Sequence, residues 1–130
     1  MLTDGSSPVA DAKELIGRGQ NRLATELLEP WLEDYPEDAA AWSALGAALF
    51  ALGEIEEALG ASRQVVDLRG TARDWCNHGM LLRKAEHLKE AEEALYRALT
   101  IDRNYDKART ELEKVHLART ADEDDGYVES

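Results

Sequence analysis

The segment WSALGAALFALGEIEEA, from Trp42 to Ala58, decides the fold. Leu45, Leu49 and Leu52 recur at spacings of three and four, the period of one helix face. Gly53 interrupts the run and suits a tight turn. Beyond it, Ala58, Ala61, Val65 and Leu68 resume the helical spacing. The segment therefore predicts two helices joined by a turn. A single hairpin of this kind cannot bury its apolar face alone, so it needs stacked neighbours.

The neighbours are legible as copies. Shifted by 33 residues, Trp42, Leu45 and Gly46 fall on Trp75, His78 and Gly79. The same offset pairs Leu49 with Leu82, Ala58 with Ala91, Ala61 with Ala94 and Val66 with Leu99. Shifted back by 34 residues, Gly53 falls on Gly19, Ala58 on Ala24, Leu49 on Leu15 and Gly46 on Ala12. Self-similarity at this period is the signature of stacked helix hairpins. The expected repeats span about residues 5–38, 39–71 and 72–104.

The spacing of Trp42, Leu45, Gly46, Leu49 and Ala58 resembles the tetratricopeptide repeat. The third unit resembles it through Trp75, Gly79, Leu82, Ala91, Leu95 and Ala98, with His78 in the family's leucine slot and Arg103 in its closing proline slot. The first unit is degenerate, with Pro8 and Asp11 in place of the aromatic and the leucine. The resemblance implies an all-α fold, a superhelical stack of antiparallel hairpins or α-solenoid. Seven helices are expected, at about residues 8–18, 20–35, 38–52, 54–68, 71–85, 88–101 and 104–119. The last would be a capping helix with Asn104 as N-cap and a sparse stripe of Ala108, Leu112, Val115 and His116. The domain would then cover residues 7–119, between a disordered start at 1–6 and a disordered acidic tail at 120–130. Ser7 would cap the first helix and Pro8 open it. Pro30 should kink the second helix near Glu26, because it removes a backbone donor.

Composition narrows the functions. The chain has 130 residues, one domain's worth, and a net charge of −12. That balance excludes an electrostatic grip on nucleic acid phosphates. No apolar run reaches the length of about 20 residues that spans a membrane. No signal peptide is readable, and Cys76 is the lone cysteine, so the expected setting is reducing and cytoplasmic. Charge is uneven along the chain: residues 1–60 carry −9, residues 61–120 carry +2, and residues 121–130 carry −5.

Cys76 and His78 lie two apart on one helix and point to different faces. No zinc-type spacing occurs. The expectation is no metal, no cofactor, no catalytic residue and no enzymatic activity. Trp42 and Trp75 share a repeat slot, which makes them hairpin packing rather than a ligand cage. Trp31, behind Pro30, is either part of a local bend or an exposed second contact surface.

The resemblance implies a concave groove lined by the first helix of each repeat. It places Ser43, Ala47 and Phe50 there from the middle unit, with Ala40 and Ala51, and Arg73, Cys76, Asn77, Met80, Arg83 and Lys84 from the third. The first unit would add Val9, Lys13, Ile16 and Gly17, and the cap Lys107, Thr110 and Lys114. Such a face is apolar around Phe50 and basic towards the C-terminal end, which favours an acidic partner segment. Some family members grip a chaperone's C-terminal carboxylate with a Lys/Asn/Arg set. Here Val9, Lys13, Ala44 and Asn77 depart from that set and only Arg73 suits it. The expected function is a non-enzymatic adaptor for a protein or peptide partner. The alternative is a self-associating scaffold, pairing acidic and basic halves of different copies into a homo-oligomer. A third reading has Asp122–Asp125 folding back onto the basic groove.

Overall fold

The computed structural model describes the backbone of residues 6–126 and the side chains of residues 6–122. Seven helices and no strand occur among the described residues: α1 (Val9–Gly17), α2 (Asn21–Asp34), α3 (Ala39–Ala51), α4 (Ile55–Leu68), α5 (Ala72–Lys84), α6 (Leu88–Ile101) and α7 (Asp106–Gly126). The observed helices begin and end within two residues of the expected bounds, except at the C-terminal end of α7.

The chain divides into two compact units, Met1–Arg69 and Gly70–Ser130. In the first, α1 packs on α2 and α3, α2 on α3, and α3 on α4. Its core is built from Ala12, Ala24, Leu28, Leu45, Leu49, Ala58 and Val65. In the second, α5 packs on α6, and α7 packs on both. Leu82, Ala91, Leu95, Ala98, Ala108 and Val115 fill that core.

The three hairpins turn in the same way. The residue after the turn's first position has positive φ in each: Gly19 at 78°, Gly53 at 80° and Glu86 at 66°. The backbone N–H groups that follow return to the end of the preceding helix. Gly53 donates to the Phe50 carbonyl at 2.9 Å and Glu54 to that of Leu49 at 2.9 Å. Glu86 donates to Arg83 at 2.9 Å and His87 to Leu82 at 2.8 Å. This double bond pattern satisfies orphan carbonyls at a helix end and needs a left-handed residue. Glycine supplies it freely; Glu86 adopts it against the clash of its Cβ.

The helix starts differ from one another. Asp38 caps α3 by accepting from the Ala41 N–H at 3.1 Å. Thr71 and Asp74 form a reciprocal capping box on α5, each side chain accepting a backbone N–H at 3.1 Å. Ser7 Oγ accepts the Val9 N–H at 3.3 Å, although α1 begins one residue later than expected. Asn104 does not cap α7. Its N–H is held by Asp102 Oδ1 at 3.0 Å in the preceding turn, and the helix begins at Asp106.

Pro30 lies inside α2, which continues through it to Asp34. At the other end, α7 runs to Gly126, well past the expected 119. Residues 120–126 are therefore helical where a loose tail was expected. Thr120 Oγ1 donates to the His116 carbonyl at 2.9 Å, continuing the helical hydrogen bonding there. The expected disorder of residues 1–5 and 127–130 lies outside the described residues.

Candidate functional site

The first unit offers the α3 face. Leu45 and Leu49 turn inward and are buried, which leaves Ser43, Ala47 and Phe50 on the outer stripe. Ala47 is exposed, while Ser43 and Phe50 are half-buried. Asp38 anchors the start of this helix. Its Oδ2 accepts the Trp31 indole N–H at 2.9 Å and the Ser7 hydroxyl at 3.3 Å. Trp31 is half-buried and stacks on Tyr35, with ring centroids 4.0 Å apart. It is a fastening between α2 and the start of α3, not an open contact surface. Trp42 donates its indole N–H to the Pro36 carbonyl at 2.8 Å, which is the packing role expected of it.

The second unit offers the α5 face and the adjoining part of α7. Arg73 and Lys84 are exposed, and Asn77 and Met80 are half-buried. Lys107 on α7 is exposed as well. Among the described residues, no carboxylate pairs with Arg73, Lys84 or Lys107.

Two residues expected on that face behave otherwise. Cys76 is fully buried, at 0 % exposure. Burial pushes its thiol pKa up; the Lys107 charge opposes this and the Glu111 charge adds to it. The thiol is therefore neutral packing beside α7 and offers a partner nothing to touch. Arg83 is the other correction. It donates through Nε and Nη2 to Glu111 Oε2 on α7, at 3.2 and 3.1 Å. The second oxygen of Glu111 accepts Lys114 Nζ at 3.2 Å. Arg83 and Lys114 thus hold a buried carboxylate, and their charge is largely engaged within the fold.

Glu111 escaped the reading of the sequence. It sits at the i+3 position from Ala108 and next to Leu112, on the stripe that faces inward, and it is only 4 % exposed. A charge on an apolar stripe is the available signal, because such a group needs a paired base nearby. His116, read as part of that stripe, is exposed instead. Its Nε2 lies 2.9 Å from Glu92 Oε2 on α6, and Arg119 donates to the other Glu92 oxygen at 2.9 Å.

Trp75 is half-buried, with the Arg97 guanidinium 5.0 Å above its ring and His78 against its edge. Arg97 therefore covers one face of the ring. Among the described residues, no group of three or more His, Cys, Asp or Glu side chains is placed to hold a metal. Within them, no helix is long and apolar enough to cross a membrane.

Residues 72–105 match the tetratricopeptide repeat family. No curated protein is similar in sequence. Solved structures are similar in fold. The MamA crystal structure superposes with a TM-score of 0.83 at 19% identity, covering 90% of this chain and 69% of MamA.

The fold is that of the tetratricopeptide repeat.

The first tetratricopeptide repeat domain of Spaghetti (RPAP3), bound to the HSP90 peptide SRMEEVD, superposes with a TM-score of 0.79 at 19% identity, covering 85% of this chain and 89% of that one. The Yersinia enterocolitica type III secretion chaperone SycD, in complex with a peptide of the translocator YopD, gives 0.77 at 18% identity, covering 90% of this chain and 99% of SycD. The α-solenoid class expected from the repeats is therefore the observed one. In tetratricopeptide terms, α1–α2, α3–α4 and α5–α6 are the three repeat hairpins, and α7 is the cap.

Proposed function

We propose that this chain is a non-enzymatic interaction module whose first-helix faces take a peptide or partner helix carrying acidic and apolar side chains. The observation that carries this reading is the set of exposed bases Arg73, Lys84 and Lys107, none with a carboxylate partner among the described residues, in a chain of net charge −12. Bases kept free on such an acidic chain attract acidic segments. Charge-assisted hydrogen bonds from Arg73 would orient the segment. Met80, unbranched and polarizable, would adapt to an apolar neighbour. Two of the structural neighbours carry peptides of their own partners, which is the use this reading gives to the fold.

The test is capture from native lysate on immobilised protein at about 50 and 300 mM salt, wild type beside the Arg73→Glu, Lys84→Glu variant. A protein retained by wild type at low salt and lost in the variant supports the reading. Identical retention by both refutes it. The HSP90 peptide seen with Spaghetti serves as a specificity control: with Val9, Lys13 and Ala44 in the carboxylate-gripping slots, SRMEEVD is expected to bind no better than its scrambled sequence.

Self-association is favoured by the charge asymmetry, −9 over residues 1–60 against +2 over residues 61–120. Sedimentation at low salt decides it: a concentration-independent monomer removes this alternative.

A further inference from the structure

The docking of α7 differs in kind from the packing of the other helices in its unit. α5 and α6 meet through a seam in which Leu82, Ala91, Leu95 and Ala98 are buried. α7 contributes three buried apolar side chains to that core, Ala108, Leu112 and Val115. Ion pairs add to this attachment, and Tyr96 on α6 meets His116 with ring centroids 6.4 Å apart. Glu111 reaches Arg83 on α5 at 3.1 Å, and Glu92 on α6 reaches His116 and Arg119 on α7, each at 2.9 Å. Both carboxylates are shared between two bases, and both pairs bridge α7 to a different helix.

Beneath this attachment lies Cys76. It is seven residues before Arg83, two helical turns along the same stripe of α5, so it faces the side that Arg83 turns to Glu111. It is fully buried there. Lys107 and Glu111, both on α7, act on its thiol.

The geometry points to α7 as a displaceable cap, clamped by Glu111 and Glu92, whose release bares the stripe of α5 that carries Cys76 while α5 and α6 stay packed. A terminal helix with few buried apolar side chains belongs to the low-stability end of a fold, where local opening precedes global unfolding. The Glu92 pairs with His116 and Arg119 reach solvent and are individually weak, whereas the Glu111–Arg83 pair is largely buried, so loss of the Glu111 charge should loosen the cap most. Two together, each joining α7 to a different partner, set whether the cap sits or lifts.

The experiment is the rate of Cys76 alkylation by N-ethylmaleimide, an uncharged reagent, in the full chain, followed by mass spectrometry. Wild type is compared with Glu111→Gln, Glu92→Gln and the double variant at neutral pH. Circular dichroism melts verify that each variant is folded. Gly53→Ala, whose site lies in the other unit and whose left-handed backbone makes it destabilising, controls for a general loss of stability. The double variant is expected to label about tenfold faster than wild type, with each single variant between them and the control unchanged. In low denaturant, labelling should accelerate with a slope well below that of global unfolding, the mark of a sub-global opening. Two outcomes overturn the inference. One is equal labelling of wild type and double variant. The other is labelling that follows the slope of global unfolding in wild type, which would make α7 as integral as α6.

Discussion

The hairpins α3–α4 and α5–α6 share a template, yet they pack around their helical glycines differently. Gly79 lies under Leu95. A Cβ built there would come within 2.7 Å of Leu95 Cγ and 3.3 Å of the Ala91 carbonyl oxygen. At the matching place in the other hairpin, a Cβ on Gly46 would meet Ala61 Cβ at 3.6 Å and the Ala58 oxygen at 3.8 Å, which is ordinary contact. The difference traces to one slot. Leu95 in α6 matches Ser62 in α4, and both are buried, at 0 % and 6 %. The larger side chain fills the space above its glycine; the smaller one leaves room. A shared motif therefore does not mean a shared constraint, because a glycine is required only where its opposite number is large.

The largest effect should come from removing the side chain that creates the contrast. Leu95→Ala is expected to cost about 2–5 kcal/mol of unfolding free energy, measured by urea titration, since it empties a fully buried site. Next comes Gly79→Ala, expected to cost about 1–3 kcal/mol through overpacking against Leu95. The Leu95→Ala, Gly79→Ala double variant should lose less than the sum, because the new methyl enters the space just vacated. Additive losses would show that the two residues do not compete for one volume. Gly46→Ala sharpens the contrast from the other side. It should stabilise the chain by about 0.5–1 kcal/mol, because alanine is the better helix former and the space exists.

The turns extend the comparison. Gly53 and Glu86 occupy one slot with φ of 80° and 66°. Glu86→Gly should raise stability by about 1 kcal/mol, by relieving the left-handed strain of a side chain. Gly53→Ala should lower it by a similar amount. Responses of clearly different size would mean that the two turns differ in more than their residue.

The smallest effect is electrostatic. Arg22 in α2 donates to Glu54 Oε1, in the α3–α4 turn, at 2.6 Å. This bond holds the Glu54 carboxyl below its ordinary pKa, while partial desolvation opposes the shift. A depressed carboxyl contributes stability above its unfolded pKa, roughly 4.3, and loses it as pH falls through the folded value. Arg22→Gln should therefore differ slightly from wild type at neutral pH and converge with it in acid. A gap that persists to low pH would mean that Arg22 acts through packing.

The turn at Glu86 shows how far the repeat could be read. An offset of 33 carries the left-handed position from Gly53 to residue 86 whatever the side chain there, so the backbone was foreseeable although glycine is missing. The α7 boundary shows the opposite. Its stripe of Ala108, Leu112 and Val115 was visible, but the charged stretch from Asp122 carries no apolar period, and helix continues there regardless. Local backbone hydrogen bonds extend a helix that tertiary contacts have already nucleated, at a cost apolar patterning does not report.

The exposure of the candidate residues divides in the same manner. Arg73 and Lys84 lie exposed, and Met80 and Phe50 half-buried, because a repeat assigns each slot a direction. Cys76 and Arg83 were misjudged because their surroundings come from α7, which departs from the repeat template. Glu111 takes Arg83, and the helix carrying it lies beside Cys76.

The residues alone determined the number of helices, their period and their turns. These depend on neighbours a few positions apart, where 3.6-residue spacing and positive-φ glycines act directly. Which bases stay free, which glycine is indispensable and what covers the thiol were decided only by tertiary structure. Those outcomes depend on the volume and charge that a distant helix brings to within a few ångströms.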